Sequence, residues 1–293
     1  MSEHKNGVTR RDFLRGTLGI TLGTTMIGLP RFQKKEKPVR SSTVIIVRDE
    51  NAMNNKFVVN KEILKTMLDN TVKQVTGKSK VKEAWLSLIS PKDKVGLVPT
   101  PHLNPTHDEL IDVVTQSLID IGVPKENIMN AQGNPSKPKA CTALITMPGL
   151  KAHWLTGIGT VIKNYIMYSG NPRRYHMDDN AKLGEIWNLP FVKDKTKLVL
   201  VDALYPLCDK GPQSDPRYKW AYNGLIAGTD PVAVETVCLG IINQKRTQLR
   251  GEPWPLSPPP LCIEAADKQY DLGTSKKEEI KIKHFGWEKD LLI

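Results

Sequence analysis

Runs of Val, Ile and Leu recur along the chain at 43–48, 94–99, 127–131, 142–147, 197–204 and 280–284. Several lack the apolar–polar alternation of a half-buried strand, and such continuous runs suit strands covered on both faces. Between them the apolar period changes to that of helices. Residues 60–77 place Ile63, Met67 and Val75 at helical positions. Thr106-His107-Asp108-Glu109 reads as a capping box, with Leu110, Val114, Leu118 and Ile121 on one face and Gly122 and Pro124 as the stop. Asp230 is predicted as an N-cap with Pro231 in the first turn, followed by the stripe Val234, Val237, Cys238, Ile241 and Ile242. Strands alternating with helices predict an α/β, Rossmann-like three-layer domain with a mostly parallel central sheet.

Composition narrows the class only modestly. Hydrophobic residues make up 39% and charged residues 25% of the 293 residues, as in an ordinary globular protein. The net charge of +11 is carried by lysines spread along the chain and interleaved with acids, so no nucleic acid is expected as a partner. The N-terminus is more specific. Thr9-Arg10-Arg11-Asp12-Phe13-Leu14-Arg15 followed by a Gly/Thr-rich apolar run at 16–29 resembles a twin-arginine export signal, with Arg10, Arg11, Phe13 and Leu14 as its signature. That resemblance implies the twin-arginine translocation machinery as partner and an exported, periplasmic location, membrane-tethered if the signal is not cleaved. No integral membrane segment is expected after it. Residues 1–33 are read as the signal and the start of a linker, and 34–293 as a single α/β domain. Cys141, Cys208, Cys238 and Cys262 lie far apart without a C-x-x-C, so no iron–sulfur cradle is legible, and their pairing is left open.

The densest chemistry lies at 142–176. A buried run leads into a segment holding Lys151, His153, Lys163, Asn164, Arg173, Arg174 and His176, with tyrosines interleaved. Ligands of open α/β sheets gather at the carboxyl ends of strands, where Lys151 and His153 would stand. Lys151, Lys163, Asn164, Arg173 and Arg174 form a candidate anion site, arginines offering forks and lysines point charges. Thr156-Gly157-Ile158-Gly159 is a candidate helix start that would add backbone N–H donors. His153 and His176 are candidate acid–base groups or metal ligands, with Asp202, at the end of the run KLVLV, orienting one of them or a metal. Asp230 joins the ligand-binding candidates as a cap that could border a pocket. Gly157-x-Gly159 has Ile162 in the third glycine's place, so no dinucleotide fingerprint is present. No G-x-S-x-G, Walker loop or H-E-x-x-H occurs.

CTALITMPGLKAHWLTGIGTVIKNY, NPRRYH, LVLVDAL and YNGLIAGTDPVAVETVCLGII resemble, in order, the motifs of domain-of-unknown-function family 362, in its subgroup exported by the twin-arginine route. AWLSLISPKDKVGL and THDELIDVVTQSLIDIGVPKENI resemble its earlier blocks. The resemblance implies an exported α/β protein in a family some of whose members carry iron–sulfur modules, which this chain lacks. It also implies departures. Val98 and Thr100 stand where the family commonly has a lysine and an asparagine, Glu235 stands for an aspartate, and Lys210-Gly211-Pro212 replaces a Gly-Gly-Pro turn. GVPKENI is faintly similar to a block of the nickel-pincer lactate racemase family, but NAQGNPSKPKA follows it in place of a histidine-bearing GTHR.

The leading expectation is an exported protein that binds an anionic small molecule or cofactor at the strand ends, with its reaction, and whether it is an enzyme, open. Two alternatives stand beside it. One is a transition-metal site of His and Asp with a redox or hydrolytic role, its ligand set unassigned; the other is a non-enzymatic exported accessory or binding protein.

Overall fold

The computed structural model describes residues 41–293, so Arg10, Arg11, Phe13, Leu14 and the linker lie outside the described residues. Nine strands form the sheet: β1 (Ser42–Arg48), β2 (Val95–Pro99), β3 (Ile128–Asn130), β4 (Ala143–Met147), β5 (Gly149–His153), β6 (Gly157–Ile158), β7 (Thr196–Leu207), β8 (Gly224–Gly228) and β9 (Ile280–Gly286). The main order is β3-β2-β4-β7-β8-β1-β9. Neighbours are parallel except at β8, which runs antiparallel to both β7 and β1. β5 continues from β4 beside the distal half of β7, pairing Gly149 with Asp202, and folds back on β6.

Among the described residues five α-helices of eight or more residues cover the sheet: α1 (Lys61–Thr76), α2 (Val81–Leu88), α3 (Asp108–Asp120), α4 (Pro231–Arg250) and α5 (Leu261–Lys268). The apolar runs explain the layering. In β1, Ile45 and Val47 point into one core with Leu64, Leu68, Trp85, Leu110 and Val114 of α1 to α3. Val44 and Ile46 point into the other, with Val234, Cys238 and Ile242 of α4, Cys262 of α5 and the tyrosines of a 3-10 segment, Ile162–Ser169. In the inner strands β2 and β4 every residue is buried whichever way it faces, which is why the sequence shows runs and not alternation there. The molecule is an α/β three-layer, Rossmann-like fold with a mostly parallel sheet.

The helix ends follow their local chemistry, with one correction. Asn60 caps α1 by accepting from Glu62 and Ile63 N–H, Gly77 closes it at φ 69°, and Asp230 caps α4 by accepting from Val232 and Ala233. Thr106 does not cap α3. His107 is the N-cap, and the Thr106 hydroxyl is spent elsewhere, donating to Met147 O (2.5 Å) and accepting from Thr100 N–H (2.9 Å). Three strands escape the pattern, among them the two-residue β6. β5 carries Lys151 and His153 where an apolar run would signal a strand, and β8 is five residues framed by glycines. All four cysteines are buried and unpaired.

Candidate functional site

β2, β4 and β7 are parallel, and the loop after β2 and strand β5 after β4 lie at their carboxyl ends. The loop from Thr100 to Thr106 turns sharply, with Leu103 (φ 56°) and Asn104 (φ 69°) in the left-handed region. Gly149 lets it approach: a Cβ there would lie 2.9 Å from the carbonyl oxygen of Asn104. Two neighbouring hollows result, sharing Thr100 and Pro101 in their walls.

The smaller, about 150 Å³, is lined by Lys151, His153, Lys163 and Asn164 among others. All four are buried. The Lys151 ammonium donates to Thr100 Oγ1 (3.3 Å) and the Asn104 carbonyl (3.5 Å). The Lys163 ammonium donates to His176 Nε2 (2.9 Å). Among the described residues neither lysine has a carboxylate in salt-bridge reach, whereas buried Arg246 has Asp209 at 2.7 Å and buried Arg48 rests on the Tyr222 and Lys289 carbonyls and over the Tyr222 and Trp287 rings. Burial, then the neighbouring Lys163, brings Lys151 down to about 7, against pull from Asp202 and Glu235. Burial brings Lys163 down to about 8.

The histidines around them are neutral bases. His153 Nδ1 accepts from Leu155 N–H (3.1 Å), and its ring stacks on His176 with centroids 5.7 Å apart. Burial, then the neighbouring Lys163, His176 and Lys151, pushes His153 down to about 2. His176 is lowered by burial and by Lys163, against hydrogen bonds to the Arg173 and Pro172 carbonyls. Asn164 spends its amide N–H groups on Val98 O (2.7 Å) and Thr146 Oγ1 (2.8 Å), so it braces the wall of the hollow.

The larger hollow is a cleft of about 560 Å³ beside Asp202, His107, Tyr205 and Lys219. Asp202 is buried, and one carboxylate oxygen accepts from both the backbone N–H and the ring Nδ1 of His107, each at 2.7 Å. The other oxygen accepts from Leu204 N–H. Burial pushes Asp202 up, but the His107 charge and these hydrogen bonds outweigh it and hold the acid low. For His107 burial pulls down, and Asp202 outweighs it, leaving the imidazole above its ordinary range.

Several expectations therefore change. Asp202 orients His107, neither His153 nor His176, because the Gly149 pairing sets Asp202 under the start of α3. Arg173 and Arg174 are exposed and outside both hollows, and Arg174 lies 3.8 Å from Glu185. Asp230 sits at the opposite end of the strands, accepting from Ser42 Oγ at the start of β1. The Thr156–Gly159 stretch is no helix start. Gly157 and Ile158 form β6, and the N–H of Val161 beyond it is taken by buried Glu235 (2.5 Å), not left for an external anion. Among the described residues no cluster of three or more His, Cys, Asp or Glu is placed to hold a metal. His107 was the residue least legible: its partner lies 95 positions away, and only its place at a helix start after a strand marked it.

Residues 103–240 match the model of a family described as a domain of unknown function, DUF362. The matched stretch contains His107, Lys151, His153, Lys163, His176, Asp202 and Glu235. No curated protein and no solved structure matches the chain.

Proposed function

We propose that the chain is an exported protein whose strand-end site binds a small molecule through an anionic group, a carboxylate or phosphate, held between Lys151 and Lys163. The observation that carries this reading is the buried pair of ammonium groups facing only neutral partners. Burying an unpaired ammonium costs several kcal/mol, and an anion entering the hollow offsets that cost. The two histidines add polar contacts without adding charge. Export rests on the sequence at Arg10 to Leu14, and the periplasm is the compartment it names.

Thermal denaturation of the mature domain with sulfate, phosphate and small carboxylates tests the binding. The wild type gains stability with added anion by mass action. Lys163→Met and Lys151→Met stay folded and lose that response. A response that survives in both variants would remove the lysines from the site.

A further inference from the structure

The cleft beside the lysine hollow holds an acid–base pair that the anion reading leaves unused. His107 has its Nδ1 and backbone N–H on Asp202, while its Nε2 bonds no protein group among the described residues. The side chain is 25% exposed, against 2% for Asp202, so the ring is the accessible member of the pair and lines the cleft. A carboxylate on Nδ1 fixes tautomer and ring orientation and leaves Nε2 to exchange a proton with whatever occupies the space. The two hollows meet at Thr100, whose hydroxyl accepts from Lys151, and the Asn104 carbonyl that Lys151 also reaches belongs to a residue lining the cleft. One molecule can therefore reach both, with its anionic end on the lysines and its body in the cleft.

We propose that His107 is a catalytic residue acting on the body of that ligand, and that the substrate is a small hydroxylated or carbonyl compound with one carboxylate or phosphate end. This rests on the lysine reading for the anionic end only. The cleft favours a polar body: Asn104, Asn130, Thr106, Glu109 and Lys219 line it beside Tyr205. The step is proton abstraction and return. Neutral His107 takes the proton of a ligand O–H or activated C–H at Nε2, the bonding pair stays on the ligand, and the imidazolium keeps its Nδ1–H on Asp202. The same nitrogen then returns the proton, so no oxidant or second substrate is consumed. Asp202 and Glu109 stabilise the imidazolium and Lys219 opposes it. The balance holds the ring protonated to a higher pH than an ordinary histidine.

The test uses inorganic phosphate and glycerol 3-phosphate as probes on the wild type, His107→Phe and Lys163→Met, with ¹⁵N signals of the histidine rings followed in the wild type. The phosphate ester binds about tenfold tighter than phosphate. His107→Phe removes that gain and leaves the phosphate affinity within about twofold. The ester, and not phosphate, shifts the His107 ring signals. Titrated beside the wild type, Asp202→Asn shows a lower His107 pKa, which a purely packing role would leave alone. An ester no tighter than phosphate, or still signals at His107, overturns the cleft proposal and spares the lysine reading. Phosphate that fails to bind while the ester still moves His107 overturns the lysine reading alone. Neither probe binding overturns both.

Discussion

A lysine in a protein interior is a cost unless something anionic meets it, and Lys151 and Lys163 meet only a hydroxyl, a carbonyl and an imidazole. The sign of the pH dependence follows. Lys151 falls to about 7 in the fold from 10.5, so the native state binds fewer protons than the unfolded chain across that interval. Its contribution to stability is unfavourable below about 7 and is relieved as the pH rises toward 10.5. Lys151→Met, in anion-free buffer, is therefore stabilising by on the order of 1–3 kcal/mol at pH 6, with a gain that shrinks by pH 10. Urea denaturation at the two pH values measures it, and destabilisation at pH 6 would show that Lys151 has a hidden partner. The His107–Asp202 pair has a different window. Asp202 contributes above its unfolded value and loses that contribution as pH falls through its lowered folded one. His107 contributes below about 6.5 and loses it as pH rises through its raised folded value. Asp202→Asn thus costs more at pH 6 than at pH 9, by the same denaturation assay. At this scale the sequence showed the lysines, because cations and histidines crowd one short stretch. It did not show their pairing, because Asp202 and His107 meet only through strand order, and Arg173 and Arg174 are as conspicuous in sequence as Lys163 while standing in solvent.

Among the elements, α4 carries two acids with opposite surroundings. Asp230 at its N-terminus accepts from Val232, Ala233, Thr274 and Ser42, at the end of the strands away from the site. Asp230→Ala costs about 1–2 kcal/mol of stability through the lost cap and leaves anion affinity unchanged. A loss of affinity at unchanged stability would contradict that placement. Glu235, one turn on, is fully buried, pushed up to about 8 by burial, and holds the backbone at Val161. That contact fixes the 3-10 segment bearing Lys163 and Asn164, so Glu235 positions the hollow from the opposite side of the core. The cap at Asp230 and the buried stripe of α4 were legible from spacing alone. The role of Glu235 was not, since a glutamate on an apolar stripe gives no hint of which backbone it will meet. β5 was hidden for a related reason. Its Lys151 and His153 line the smaller hollow, and its strand character comes from pairing with β7, not from an apolar run.

For the whole molecule, the sheet and its two covered faces follow from the apolar runs, and the candidate site falls where parallel strands end. The antiparallel β8 and the pairing of β9 with β1 are not legible in the sequence, because strand order is a long-range choice that local pattern does not encode. Export belongs to this scale as well: replacing Arg10 and Arg11 together by lysine keeps the protein in the cytoplasm, as cell fractionation reads out, and normal export of that variant would refute the twin-arginine reading. The central claim, that a buried lysine pair awaits an anion, is tested most directly by calorimetric titration of sulfate, which does not itself titrate near neutrality. The titration is run at pH 7.5 in two buffers of different ionisation heat. Lysines lowered to about 7 and about 8 are part-deprotonated there, so sulfate binding takes up protons, the apparent heat differs between buffers, and Lys163→Met abolishes it. Binding with no proton uptake, or no binding at millimolar sulfate, would contradict the account.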